Sequence, residues 1–175
     1  MMRFSSTLKF AALAASLALA ACSSKPPPAP DNGPPPAQAE QPAPVQQSSI
    51  VPGSAEDLRV NVGDTVHFDY DRYEITDEDR AVLQRQSAWL AKYPSVRVTV
   101  EGHCDERGTR EYNLALGARR ANAVKEYLVS LGVASGRLET ISYGKERPMC
   151  TESSESCYAQ NRRGVTTISS GGASS

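Results

Sequence analysis

The run Val100-Glu101-Gly102-His103-Cys104-Asp105-Glu106-Arg107-Gly108-Thr109-Arg110-Glu111-Tyr112-Asn113 joins two patterns of different period. On its N-terminal side Val96, Val98 and Val100 alternate with Arg97, Thr99 and Glu101, which predicts a strand with one face buried. On its C-terminal side the spacing predicts a helix from about Glu111 to Leu131, with Gly132 placed to cap its end. A Gly-containing loop over 102–110 therefore connects a strand end to a helix N-terminus. In α/β sheets that edge is where ligands commonly sit.

At about 100° per residue, Asn113, Gly117, Arg120, Val124, Leu128 and Leu131 fall on one side of this helix. The last three form a core stripe, and Arg120 lies on the same stripe. A guanidinium on an apolar face needs a carboxylate partner, a ligand anion, or room to extend its head to the domain edge. The spacing brings Asp105, in the loop, and Arg120 to one pocket with opposite charges. Such a pair suits a zwitterion carrying ammonium and carboxylate; equally, the two side chains bridge each other.

Working outward, Thr65-Val66-His67-Phe68 predicts a short strand. Thr76 to Asp79 has the form of a capping box with Asp in place of Glu, opening a helix to about Tyr93. Val82, Leu83, Trp89, Leu90 and Tyr93 give that helix its apolar side, and Pro94 ends it. Leu138 to Tyr143 and Val165 to Ile168 predict two further strands. The order β-α-β-α-β-β indicates an α/β (α+β) two-layer sandwich, a mixed sheet with its helices on one face. The folded domain is expected over residues 57–169, with a loose Gly/Ser tail over 170–175.

The remainder of the chain has a different composition. Residues 1–21 carry Arg3 and Lys9, no acid, and an apolar stretch from Phe10 to Ala21. That stretch is too short to span a bilayer and reads as a secretory signal peptide. It ends in Leu19-Ala20-Ala21-Cys22, which resembles the lipobox of bacterial lipoproteins and marks Cys22 for lipidation. An ordinary signal peptide with an incidental cysteine is the alternative. Ten of the twelve prolines lie between Pro26 and Pro52. Residues 22–56 thus read as a lipidated cysteine followed by a disordered, partly polyproline II tether.

Lys and Arg total 19 against 20 Asp and Glu, a formal net charge of −1, which excludes polyanion binding driven by bulk charge. The aromatics are spread thinly, against a stacking platform for single-stranded nucleic acid. Cys150 and Cys157 enclose six polar residues, and export to an oxidising compartment predicts a disulfide between them that pins a polar loop. His103 beside Cys104 raises the question of a Cys–His nucleophile, but neighbours on extended backbone point to opposite sides. No recognised metal-ligand spacing joins His67, His103, Cys104 and Asp105. The reading is a binding protein, not an enzyme, with no cofactor and no metal.

The quoted run, continued through Leu116-Gly117-Ala118-Arg119-Arg120-Ala121, resembles the family sharing the OmpA-like C-terminal domain, and within it the peptidoglycan-associated lipoproteins. Ser142-Tyr143-Gly144-Lys145-Glu146-Arg147-Pro148 and Gln160-Asn161-Arg162-Arg163 match later blocks of that family. The resemblance covers essentially all of 57–169. It implies non-covalent binding of peptidoglycan through meso-diaminopimelate of the stem peptide, Asp105 receiving the ammonium and Arg120 the carboxylate. It implies that Phe68, Asp69, Asn113 and Leu116 line the same site and that Arg107 supports it. It further implies an outer-membrane location facing the periplasm, TolB and the Tol complex as partners, and a role in envelope integrity and cell division. Ser23 after the cysteine favours the outer membrane on the same ground. Cys104 departs from the family's usual small residue or Thr and reads as a buried small hydrophobe.

Overall fold

A computed structural model describes residues 50–174 of the chain. The signal segment, Cys22 and most of the proline-rich tether lie outside the described residues. Strand β1 is Thr65–His67, helix α2 Asp77–Lys92, β2 Arg97–His103, α3 Arg110–Ser130, β3 Leu138–Gly144 and β4 Arg163–Ser170. Two helical pieces were not expected. The first, α1 (Ala55–Asp57), runs into a wide turn over Leu58–Val62, and α4 spans Glu155–Asn161. The four strands form one mixed sheet in the order β1-β4-β2-β3, with β2 and β3 parallel and the other pairs antiparallel.

The β2 alternation puts Val98 and Val100 against the helices, both fully buried. They meet Leu83 and Leu90 of α2 and Val124 and Leu128 of α3 in one core. Both long helices begin on threonine caps. The Thr76 hydroxyl accepts from the Asp79 N–H, and the Thr109 hydroxyl accepts from the Tyr112 N–H. The Asp79 carboxylate does not complete a capping box, however. It accepts from the Thr76 hydroxyl and from the His67 backbone N–H, and so ties α2 to the end of β1. Gly132 follows α3 at φ +96, a left-handed cap that favours glycine.

One close approach positions the site. A Cβ on Gly102 would lie 1.8 Å from the Gly117 carbonyl oxygen, and one on Gly117 would lie 2.3 Å from the Ser142 Oγ. Neither position has room for a side chain, so α3 crosses β2 and β3 at backbone contact. That crossing brings the helix's Arg120 next to the backbone of His103, at the strand end.

The domain reaches past both expected edges. Ser54 caps α1 and Leu58 is in the core. At the other end Ser170 still pairs with Arg97, and the Ala173 N–H donates to the Gly53 carbonyl. Thus 170–173 is held rather than loose. Cys150 and Cys157 are joined by a disulfide. The stretch between them was expected to be all loop, but its last two residues, Glu155 and Ser156, already belong to α4 behind a Ser154 cap.

Candidate functional site

A pocket of about 150 Å³ opens where β2 ends and α3 begins. A cavity of that size takes a group about as large as benzene. Tyr70, Asp71, Cys104, Asp105, Arg107, Gly108, Tyr112, Asn113, Leu116 and Arg120 line it. The structure therefore brings together five of the expected site residues: Asp105, Arg107, Asn113, Leu116 and Arg120.

Arg120 is fully buried and does not extend to the domain edge. Its Nε donates to the Arg72 carbonyl at 2.8 Å, Nη1 to the His103 carbonyl at 2.8 Å, and Nη2 to the Asp69 carbonyl at 3.1 Å. The Phe68 ring lies 5.1 Å from the guanidinium carbon. Among the described residues Arg120 makes no ion pair; carbonyl dipoles and a π-face are its direct contacts. Burial pulls its pKa below the ordinary guanidinium value, partly countered by Cys104 and Asp105. The cation stays charged, since a guanidinium keeps its proton in proteins. Arg120 and Asp105 do not bridge each other.

Asp105 is instead held by two other arginines. Arg107 approaches it through Nη2 at 2.6 Å and Nε at 3.2 Å, and Arg162 through Nη1 at 3.3 Å. The Arg107 N–H closes a small turn onto the same carboxylate at 3.1 Å. Burial would raise the Asp105 pKa, but the hydrogen bonds and charge of Arg107 outweigh it and hold the carboxyl below its ordinary value. Asn113 shapes the loop: its Nδ2 donates to the carbonyls of Arg107 and Thr109, folding 107–109 over the start of α3.

Two expected lining residues are displaced by two positions. Phe68 packs beneath Arg120, and Asp69 contributes its carbonyl, but neither is among the residues lining the pocket. Tyr70 and Asp71 take those places. The physical reason is a turn: β1 stops at His67, and Asp71 adopts φ +57, curling the chain back over the pocket. Asp71 accepts a hydrogen bond from the Tyr112 hydroxyl across the mouth. A second acidic residue two places after Asp69, in Asp69-Tyr70-Asp71, was the available signal. Arg162 was also missed, although the block containing it was noted.

His103 and Cys104 have separate surroundings. The His103 ring stacks 5.4 Å from Tyr143, while the Cys104 thiol donates to the Asn113 carbonyl in the pocket. Cys104 is buried, as expected, and burial raises its pKa. Both His103 ring nitrogens lack a hydrogen-bond partner, and Nε2 lies 3.5 Å from Glu101 Oε2. Burial, with Arg163 and Arg147 nearby, lowers the His103 pKa to about 4, so the ring is neutral at pH 7. Among the described residues no hydrogen bond links the His103 ring to the Cys104 thiol, whose proton goes to the Asn113 carbonyl.

Comparison with known proteins shows the family. The OmpA family model matches residues 67–162. A peptidoglycan-associated lipoprotein of Mesorhizobium japonicum is 52% identical over 163 residues, covering 92% of this chain and 91% of the relative. One from Pseudomonas aeruginosa is 45% identical over 157 residues, covering 89% and 93%. The crystal structure of the peptidoglycan-associated lipoprotein from Burkholderia pseudomallei superimposes with a TM-score of 0.59 at 42% identity, covering 60% of this chain and 89% of that one.

Proposed function

The chain belongs to the OmpA family, and from that premise we propose that it binds peptidoglycan non-covalently and tethers the outer membrane to the cell wall. The ligand group is the side-chain end of meso-diaminopimelate in the stem peptide. Its carboxylate meets Arg120 and its ammonium meets the acidic side of the pocket at Asp105, with Asp71 at the mouth. The observation that carries this reading is Arg120 itself: a buried cation, positioned by three carbonyls, with no carboxylate of its own. Such a group is satisfied in geometry and unneutralised in charge, which favours an incoming anion. A charge-assisted contact of this kind is worth about 1.5–3 kcal/mol.

The relatives' name, peptidoglycan-associated lipoprotein, supports wall binding and lipidation, and the remaining parts rest on the family resemblance of the sequence. Lipidation at Cys22 anchors the mature chain in the outer membrane, and the proline-rich tether carries the domain into the periplasm. TolB and the Tol complex are the protein partners, and the tether serves envelope integrity and cell division. Calorimetric titration of the full chain tests the ligand assignment. A muropeptide with meso-diaminopimelate should bind, and one with lysine, which lacks the second carboxylate, should bind at least tenfold more weakly. Equal affinity for the two would overturn it.

A further inference from the structure

The disulfide-bonded segment was expected only as a pinned polar loop, yet it makes more contacts to the ligand loop than a local staple requires. Glu155, at the start of α4, lies 3.5 Å from Arg107 Nη1 and 2.8 Å from Arg162 Nη2. Those two arginines are the ones on Asp105. The four side chains therefore close a ring, Asp105–Arg107–Glu155–Arg162, in which two cations alternate with two anions. Tyr158, one turn along α4, lays its ring 4.4 Å from the Arg107 guanidinium, whose other face meets Tyr70 at 4.1 Å. The Tyr158 hydroxyl and the Ser153 hydroxyl both donate to Glu106, each at 2.8 Å. Cys157, between Glu155 and Tyr158, is fully buried and fixed to Cys150.

The charge arithmetic gives this arrangement a consequence. With Glu155 in place the ring is neutral, and the charged residues lining the pocket outside it are Arg120 and Asp71, one of each sign. Without it, Arg107 and Arg162 both rest on Asp105 alone, and the wall facing the ligand gains a positive charge. A carboxylate would tolerate that change; an ammonium would be repelled.

We propose that the disulfide-bonded segment 150–161 is a positioning element of the ligand site, in which Glu155 sets selectivity for a ligand that carries a free ammonium. The inference rests on the stem-peptide reading above and deepens it. Glu155 acts through Arg107 and Arg162 and is a positioning residue, while Cys150–Cys157 and Tyr158 keep it in place. The pair Glu155–Arg107 is partly exposed, so salt screens it and the effect is moderate.

The test uses the full chain and two stem peptides containing meso-diaminopimelate, one with its side-chain ammonium free and one with that nitrogen acetylated. Glu155→Gln should weaken binding of the free form about fivefold and of the acetylated form less than twofold. The double variant Cys150→Ser/Cys157→Ser should show the same bias; should it fail to fold, Glu155→Gln and Tyr158→Phe carry the test. Equal losses on both ligands, or none on either, would overturn the inference while leaving the binding reading intact. Failure of the unaltered chain to bind the free form would overturn both.

Discussion

Two guanidiniums grip consecutive carbonyls of the chain leaving β1, Arg162 that of Phe68 and Arg120 that of Asp69. Both are buried. On the β4 flank, Arg162 also meets two carboxylates, Asp105 and Glu155, and its charge is consumed inside the fold. On the α3 flank, Arg120 meets only carbonyls and the Phe68 ring, and its charge is left over. On the proposed reading one arginine serves stability and the other the ligand, although the two side chains share a residue type, a depth and a piece of backbone. What distinguishes them is that one is paired with carboxylates and the other with uncharged carbonyls.

Removing each in turn should separate the two roles. Arg162→Ala leaves Asp105 buried with Arg107 as its remaining cation, so the cost should fall at the lower end of that for breaking a buried pair from one side, about 3 kcal/mol. Denaturant unfolding should show that loss; less than about 1 kcal/mol would mean that Arg162 is not the structural member. An effect of similar size concerns a third buried base, His103, which is accommodated by losing its proton. Its pKa is about 4 in the fold against an ordinary 6.5, so the unfolded chain binds the extra proton as pH falls. Stability should therefore decline between pH 6.5 and 4, by on the order of 3 kcal/mol in total. Unfolding midpoints of His103→Phe should lack that part of the slope; an unchanged slope would place the titration elsewhere.

Arg120→Ala should weaken sacculus binding at least tenfold, about 1.4 kcal/mol or more, and should also lower stability, because three carbonyls lose their donor; binding per folded molecule separates the two effects. Unchanged pull-down would dissolve the distinction between the two arginines. The smallest effect is expected at Cys104. Its thiol is buried and raised in pKa, so alkylation of the folded protein should be slow, and Cys104→Ala should change binding less than twofold. A large loss of binding would make the thiol a working part of the pocket.

The legible parts of the fold are those with sustained periodicity. Val96, Val98 and Val100, the α2 stripe and the α3 stripe each repeat often enough to define a face, and their strand and helices form as expected. The seven-residue α4 repeats too little to show a face, and it begins inside the polar stretch between the bonded cysteines, which looks like loop. In the site, Asp105 and Arg120 were readable because one sits at a strand-to-helix junction and the other interrupts an apolar stripe. Tyr70 and Asp71 were not, because their place depends on a left-handed turn at Asp71, a conformation that side chains rarely adopt. Arg162 was not, because its role arises only when β4 returns beside β1, a pairing between residues nearly a hundred positions apart.

Where the described chain begins, the Asp57 carboxylate accepts from the Gly53 N–H at 2.7 Å, from Asn61 Nδ2 at 2.8 Å and from Trp89 Nε1 at 2.9 Å. The Gly53 carbonyl meanwhile receives the Ala173 N–H. For a domain pulled by its N-terminal leader, this knot is the point at which mechanical load enters. Tension on residue 50 meets a carboxylate with three donors, one of them from the core-facing Trp89, before it reaches any strand. Force is thereby passed into α2 and the hydrophobic core, and the β1 edge of the sheet is spared from being peeled away first.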